Sequence, residues 1–164
     1  MTPIPQAPEA PEAPDEILTT RRIAAPRALV FQAFTSPEHV GAWWGPDGFT
    51  TTTSEMHVAP GGAWRFVMHG PDGKDWQNLI TYAEVVAPER LVYDHGDGEG
   101  PPQFHVVVTF EEDEGGTLLA MRAKFKDAAA RRYVAENFKA VEGGRQTVAR
   151  LAAYVATLLD KPRG

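Results

Sequence analysis

Between Asp127 and Leu159 the residues Val134, Phe138, Val141, Val148, Leu151, Val155 and Leu158 recur at spacings of three, four and seven, which places them on one face of a helix. A helix with so long an apolar stripe has to be covered by the rest of the chain. What precedes it is a series of short β-branched and aromatic runs separated by Gly, Pro and acidic turns, and such runs make an antiparallel sheet. The expected architecture is therefore α+β: a seven-stranded curved antiparallel sheet wrapped around a long C-terminal helix, with two short helices after the first strand.

Residues 1–15 hold five prolines and three acidic residues, and after Met1 only Ile4 as a large aliphatic side chain. Burial cannot offset the entropy of ordering such a segment, so it is expected to be a flexible tail, followed by a single domain over 16–161. The first strand begins near Glu16. Pro26 suits a helix start, with Val30, Phe31 and Phe34 on the short helix behind it, and Ser36 is placed to cap a second helix opened by Pro37. Strands are then expected over 49–58, 63–69, 76–86, 90–95, 103–110 and 117–125, joined by Gly- and Pro-containing turns, with residues 111–116 as a charged hairpin tip. Strands joined by turns exclude a βαβ dinucleotide fold, and no GxGxxG, GxxxxGK[ST] or GxSxG run is present.

Net charge of -6 gives no general attraction to phosphate backbones, so no nucleic-acid partner is expected. The absence of cysteine excludes disulfides, thiolate nucleophiles and thiolate metal ligands. No run approaches a membrane span or a signal peptide, so no membrane partner is expected, and cytoplasmic residence follows by default. His57, His69, His95 and His105 fall on separate strands without a compact ligand spacing, and the acids at 111–114 lack the alternation of a calcium loop; no metal or other cofactor is implied.

Several local motifs then stand in a familiar order. Ala25-Pro26-Arg27 with Val30-Phe31, Phe34-Thr35-Ser36-Pro37-Glu38-His39 and Trp43-Trp44-Gly45-Pro46 are followed by Gly48-Phe49, Met56, Pro60-Gly61-Gly62-Ala63-Trp64-Arg65-Phe66 and His69-Gly70-Pro71-Asp72-Gly73. Glu84-Val85-Val86, Pro88-Glu89-Arg90-Leu91-Val92 and Glu142-Gly143-Gly144 ahead of Thr147-Val148 and Leu151 complete the set. Over about residues 17–159 the chain resembles the activator of heat-shock-protein-90 ATPase homologue-like (AHSA-type) branch of the SRPBCC superfamily, which includes START-like and birch-pollen-allergen-like proteins. The resemblance implies a helix-grip fold with an internal cavity, and by analogy a small apolar or aromatic ligand.

On that reading the candidate ligand-binding residues are Trp44, Met56, Trp64, Phe66, Met68, Phe104, Val106, Val108, Met121, Phe138 and Val141. Alternation puts Trp64, Phe66 and Met68 on one face of their strand, and Phe104, Val106, Val108 and Phe110 on one face of theirs, although a filled core would alternate in the same way. Of the tryptophan pair, one ring anchors the following turn and the other edges the cavity mouth. Gly143 and Gly144 interrupt the long helix, which either bends there, the favoured reading, or brings its backbone close to a neighbour. Tyr82, Glu84, Arg65 and Arg122 are the polar residues to place; strict alternation sets Ala83 and Val85 inward and Glu84 outward. No catalytic residue is assigned. A cyclase- or hydrolase-type enzyme using Tyr82, Glu84 or His69, a co-chaperone-like protein-binding module and a homodimer paired through a sheet edge stay open.

Overall fold

The computed structural model describes residues 11–160, so residues 1–10 of the expected tail lie outside the described part. The elements run β1 Glu16–Ile23, α1 Arg27–Thr35, α2 Pro37–Val40, β2 Thr50–Met56, β3 Ala63–His69, β4 Asp75–Val86, β5 Arg90–Gly96, β6 Phe104–Asp113, β7 Gly116–Phe125, α3 Ala128–Asn137 and α4 Ala140–Asp160. All pairings are antiparallel. β2 to β7 follow one another as neighbours and β1 closes onto β7, giving the order β1-β7-β6-β5-β4-β3-β2. This is the α+β helix-grip fold, with two short helices after the first strand and a long C-terminal helix against the sheet.

Side-chain alternation explains the inner face. Trp64 and Phe66 are buried on β3, Val106, Val108 and Phe110 on β6, and Leu91 and Tyr93 on β5. Phe31 and Phe34 of α1 meet Phe110 edge-on, with ring centroids 5.2 and 5.5 Å apart, and the buried Val148, Leu151 and Val155 bring α4 into the same core. Trp43 anchors the loop after α2 by donating its indole N–H to the carbonyl of Ala33 at 3.0 Å.

Local departures from the expectation have physical causes. A bulge at Ala83 shifts the register between Tyr82 and Glu84, so Tyr82 and Val85 turn inward while Ala83 is exposed; strict alternation had put Tyr82 on the outer face. Glu84 faces out, 3.3 Å from Arg90. Strands β6 and β7 extend into the expected tip and are joined by Glu114 and Gly115 alone, both at positive φ (49° and 82°), as the right-handed twist of a two-residue hairpin requires. Ser36 occupies the N-cap of α2, but its side chain makes no capping bond.

Residues 11–15 are tied down. Glu12 accepts from the backbone N–H of Leu18 at 2.8 Å, Asp15 pairs with Lys124 at 2.9 Å, and Arg122 of β7 donates to the carbonyl of Pro11 at 3.2 Å and to Glu16 at 2.7 Å. The C-terminal stretch is two helices instead of one. It breaks at Phe138 and Lys139, the latter at φ 51°, and not at Gly143 and Gly144, which lie inside α4. No described helix is long and apolar enough to cross a membrane.

Candidate functional site

Along α4, positions 140, 143, 144 and 147 share one face, since they are separated by three, four and seven residues. They are Ala, Gly, Gly and Thr. One turn further on the same face carries Val148, Leu151 and Val155, which reach the sheet and are buried. The helix therefore fills the concave face at its C-terminal end and falls short of it at its N-terminal end. The space left is a cavity of about 310 Å³, bounded by the inner faces of β1, β5, β6 and β7, by Trp44, Gly45 and Pro46, and by the α3–α4 junction.

Of the two glycines, Gly144 acts by close approach. A Cβ on Gly144 would stand 2.8 Å from Oγ1 of Thr19 on β1, so the helix can lie this near β1 only without a side chain there. A Cβ on Gly143 would meet Pro46 at 3.4 Å, an ordinary contact. Thr147 turns its hydroxyl onto its own helix, donating to the carbonyl of Gly143 at 2.8 Å.

Of the residues singled out from the sequence, Trp44, Met68, Phe104, Val106, Met121 and Phe138 line this cavity. Trp64, Phe66 and Val108 do not; they are sealed in the core behind it, Trp64 stacked on Phe66 with centroids 4.0 Å apart and Trp44 edge-on to Trp64 at 4.8 Å. Met56 packs against that core from β2, and Val141 lies off the cavity wall. Phe138 is 53% exposed at the rim and meets the half-exposed Trp76 of β4 edge-on at 5.9 Å. An outer groove that includes Trp76 and Lys139 shares Pro46, Met68, Phe138 and Gly143 with the cavity.

Sequence reasoning passed over the polar residues of the wall. Tyr93 and His95 line the cavity from β5, and Thr19 from β1. A signal was available: Leu91, Tyr93 and His95 alternate with Val92 and Asp94, so an inward Tyr93 carries His95 inward. Nε2 of His95 lies 2.8 Å from Oδ1 of Asn78, and the ring sits among Trp44, Phe66, Tyr93 and Phe104. Burial in these neutral surroundings pushes its pKa down to about 4. Burial also pushes the Tyr93 hydroxyl up, with Tyr82 adding to the effect, so both side chains are uncharged at neutral pH.

The other polar candidates stay outside. Arg65 pairs with Glu55 at 2.9 Å, and His105 faces outward, 2.9 Å from Asp94. On the outer face Asp75, His69 and Thr52 form a carboxylate–imidazole–hydroxyl chain with both contacts at 2.8 Å, but it lies in the open on β2 to β4, and none of the three lines the cavity or the outer groove. Among the described residues, no group of three or more His, Asp or Glu is placed to hold a metal ion.

A curved antiparallel sheet closed by a C-terminal helix, with an apolar space beneath the near end of that helix, defines a helix-grip protein. The sequence profile of the activator of Hsp90 ATPase homolog 1-like protein family matches residues 24–156, and the chain belongs to that family. Its fold is similar to that of a protein from Nitrosomonas europaea (22% identity, TM-score 0.82, covering 92% of this chain and 100% of that one). It is also similar to a protein from Rhodobacter sphaeroides (26%, 0.78, 90% and 96%) and to the AHSA1 protein from Silicibacter pomeroyi (19%, 0.67, 87% and 99%). Comparison with curated proteins gave no match.

Proposed function

We propose that this protein binds a small apolar or aromatic molecule in the space between α4 and the sheet. The observation that carries the reading is the graded face of α4, where Ala140, Gly143 and Gly144 stand over a cavity of about 310 Å³ walled by Trp44, Phe104 and Met121. That volume lies at the lower end of the range, roughly 300–1,000 Å³, of small-molecule sites. Met68 and Met121 add side chains that adapt to ligand shape. A catalytic reading of the same cavity would draw on His95 and Tyr93. It is less well supported, because an imidazole near pKa 4 and a phenol raised by burial are both poorly matched to proton transfer at neutral pH. Cytoplasmic residence, from the lack of a signal-peptide-like or membrane-spanning run, is part of the same proposal, as is the expectation of no nucleic-acid partner, which rests on the net charge of -6.

The test is native mass spectrometry of gently purified protein, followed by displacement of a fluorescent apolar probe. Retained small molecules, or a probe that Phe104→Ala or Met121→Trp releases, are the expected results. A folded protein that retains nothing and takes up no probe would overturn the reading.

A further inference from the structure

The cavity wall is largely apolar, and apart from Thr19 and Thr147 its polar side chains come from β5. Tyr93 and His95 stand two residues apart on one face of that strand, with ring centroids 6.4 Å apart. A chain of hydrogen bonds sets the histidine tautomer. The backbone carbonyl of Trp76 can only accept, so it receives a bond at 3.0 Å from Nδ2 of Asn78. Oδ1 of Asn78 is then an acceptor, and Nε2 of His95, 2.8 Å away, must carry the proton. In the neutral ring Nδ1 is left as a lone-pair acceptor, and among the described residues it has no partner.

Tyr93 is 2% exposed, and its hydroxyl also has no hydrogen-bond partner among the described residues. Neither atom is sealed in the way that Thr109 Oγ1 is: both keep contact with the cavity space, where an occupant can pair with them. Here a bare acceptor and a bare hydroxyl sit on neighbouring positions of one cavity wall. Among the described residues no Lys, Arg, Asp or Glu lines the cavity. Arg150 lies behind the Trp44 loop, with Nη1 donating to the carbonyls of Gly45 and Pro46 at 2.8 and 2.9 Å. A ligand carboxylate would meet the lone pair of His95 with no cation to balance it, and a plain hydrocarbon would leave both groups unpaired. A hydroxyl is the small neutral group that donates to one and accepts from the other. The rings of Trp44 and Phe104 near His95, with centroids at 6.5 and 4.8 Å, favour a flat aromatic body.

Resting on the binding function proposed above, we infer that the ligand is a neutral hydroxyaromatic molecule of one or two rings whose hydroxyl donates to Nδ1 of His95 and accepts from the hydroxyl of Tyr93. A one- or two-ring body suits a space equal to about ten water volumes.

Equilibrium dialysis at pH 7 with 2-naphthol, naphthalene and 2-naphthoate tests this on the full chain and on the His95→Phe and Tyr93→Phe variants. The protein is expected to bind 2-naphthol about tenfold tighter than naphthalene, with 2-naphthoate weakest. Each variant should bring the naphthol-to-naphthalene ratio towards one. Tyr93→Phe removes a single oxygen, and circular dichroism establishes that each variant is folded. Equal binding of naphthol and naphthalene, or a ratio unaltered in the folded variants, overturns the inference and leaves cavity binding standing. Failure of the folded wild-type protein to bind any of the three overturns both.

Discussion

An imidazole held among Trp44, Phe66, Tyr93 and Phe104 has no carboxylate partner among the described residues to support a positive charge, and Asn78, its hydrogen-bond partner, offers a dipole alone. In the unfolded chain His95 takes up its proton near pH 6.5, and in the folded protein only near pH 4. Between those values the unfolded state binds more protons, so the contribution of His95 to stability is complete above pH 6.5 and is lost as the pH falls towards 4. The gap corresponds to about 3 kcal/mol. Urea titrations at pH 7 and pH 4.5 should show a smaller acid-induced loss in His95→Gln than in the wild type, and an equal loss would show that the ring is hydrated. Thr109 gives a second check, because its Oγ1 is buried without a hydrogen-bond partner among the described residues. Thr109→Val is expected to stabilise the fold by about 1 kcal/mol in the same titration. Residues of this kind are the least legible in a sequence. His95 belongs to an inward alternating set, yet an inward histidine reads the same whether its ring is packed, paired or bare.

At the scale of the element, α4 decides the site. The apolar stripe of the C-terminal stretch was legible, and Val148, Leu151 and Val155 occupy the buried positions that their spacing implies. The break was not. Gly143 and Gly144 carry the strongest local sign of a bend, but the missing side chain of Gly144 serves approach to Thr19, a Cβ on Gly143 would meet Pro46 at an ordinary distance, and the chain turns at Phe138 and Lys139. A positive φ at lysine leaves no mark in residue type, since it is imposed by where the two helices must lie. The glycines separate experimentally. Gly143→Ala, with ordinary contacts waiting, should stabilise the protein by roughly 0.5–1 kcal/mol through helix propensity. In Gly144→Ala the new methyl group meets Thr19 Oγ1 at 2.8 Å, so the variant should lose that gain and melt below wild type, whereas Thr19→Gly with Gly144→Ala should recover part of the loss. Thermal melts of the three proteins check this, and a Gly144→Ala that melts above wild type would show that the helix does not press on β1. The bulge at Ala83 teaches the same lesson in a strand: one extra residue reverses the facing of Tyr82, and composition does not announce it.

Across the whole molecule one helix is packed into the core along its C-terminal half, while its first turns approach β1 and leave a cavity over the rest of the sheet, and the two ends should respond differently to truncation. Leu151, with no exposed surface, lies in the filled half, and Leu151→Ala is expected to cost about 3 kcal/mol. Met121 lines the space already present, so Met121→Ala enlarges a void without opening a new one and should cost about 1 kcal/mol. Comparable losses at both positions by chemical denaturation would mean that the cavity collapses around its wall. The sequence by itself determined the α+β class, the number and order of strands, the covered helix and the family, because each of these rests on periodicities of two and 3.6 residues or on motifs within a few positions of one another. Only the tertiary structure decided that Trp64, Phe66 and Val108 are core while Trp44, Phe104 and Met121 face open space, and that His95 and Tyr93 line it beside them. Alternation reports which side of its own strand a residue takes; whether anything meets it there depends on the distance to a helix more than a hundred residues away from β1 in the chain, and that distance is set by packing at both ends of α4.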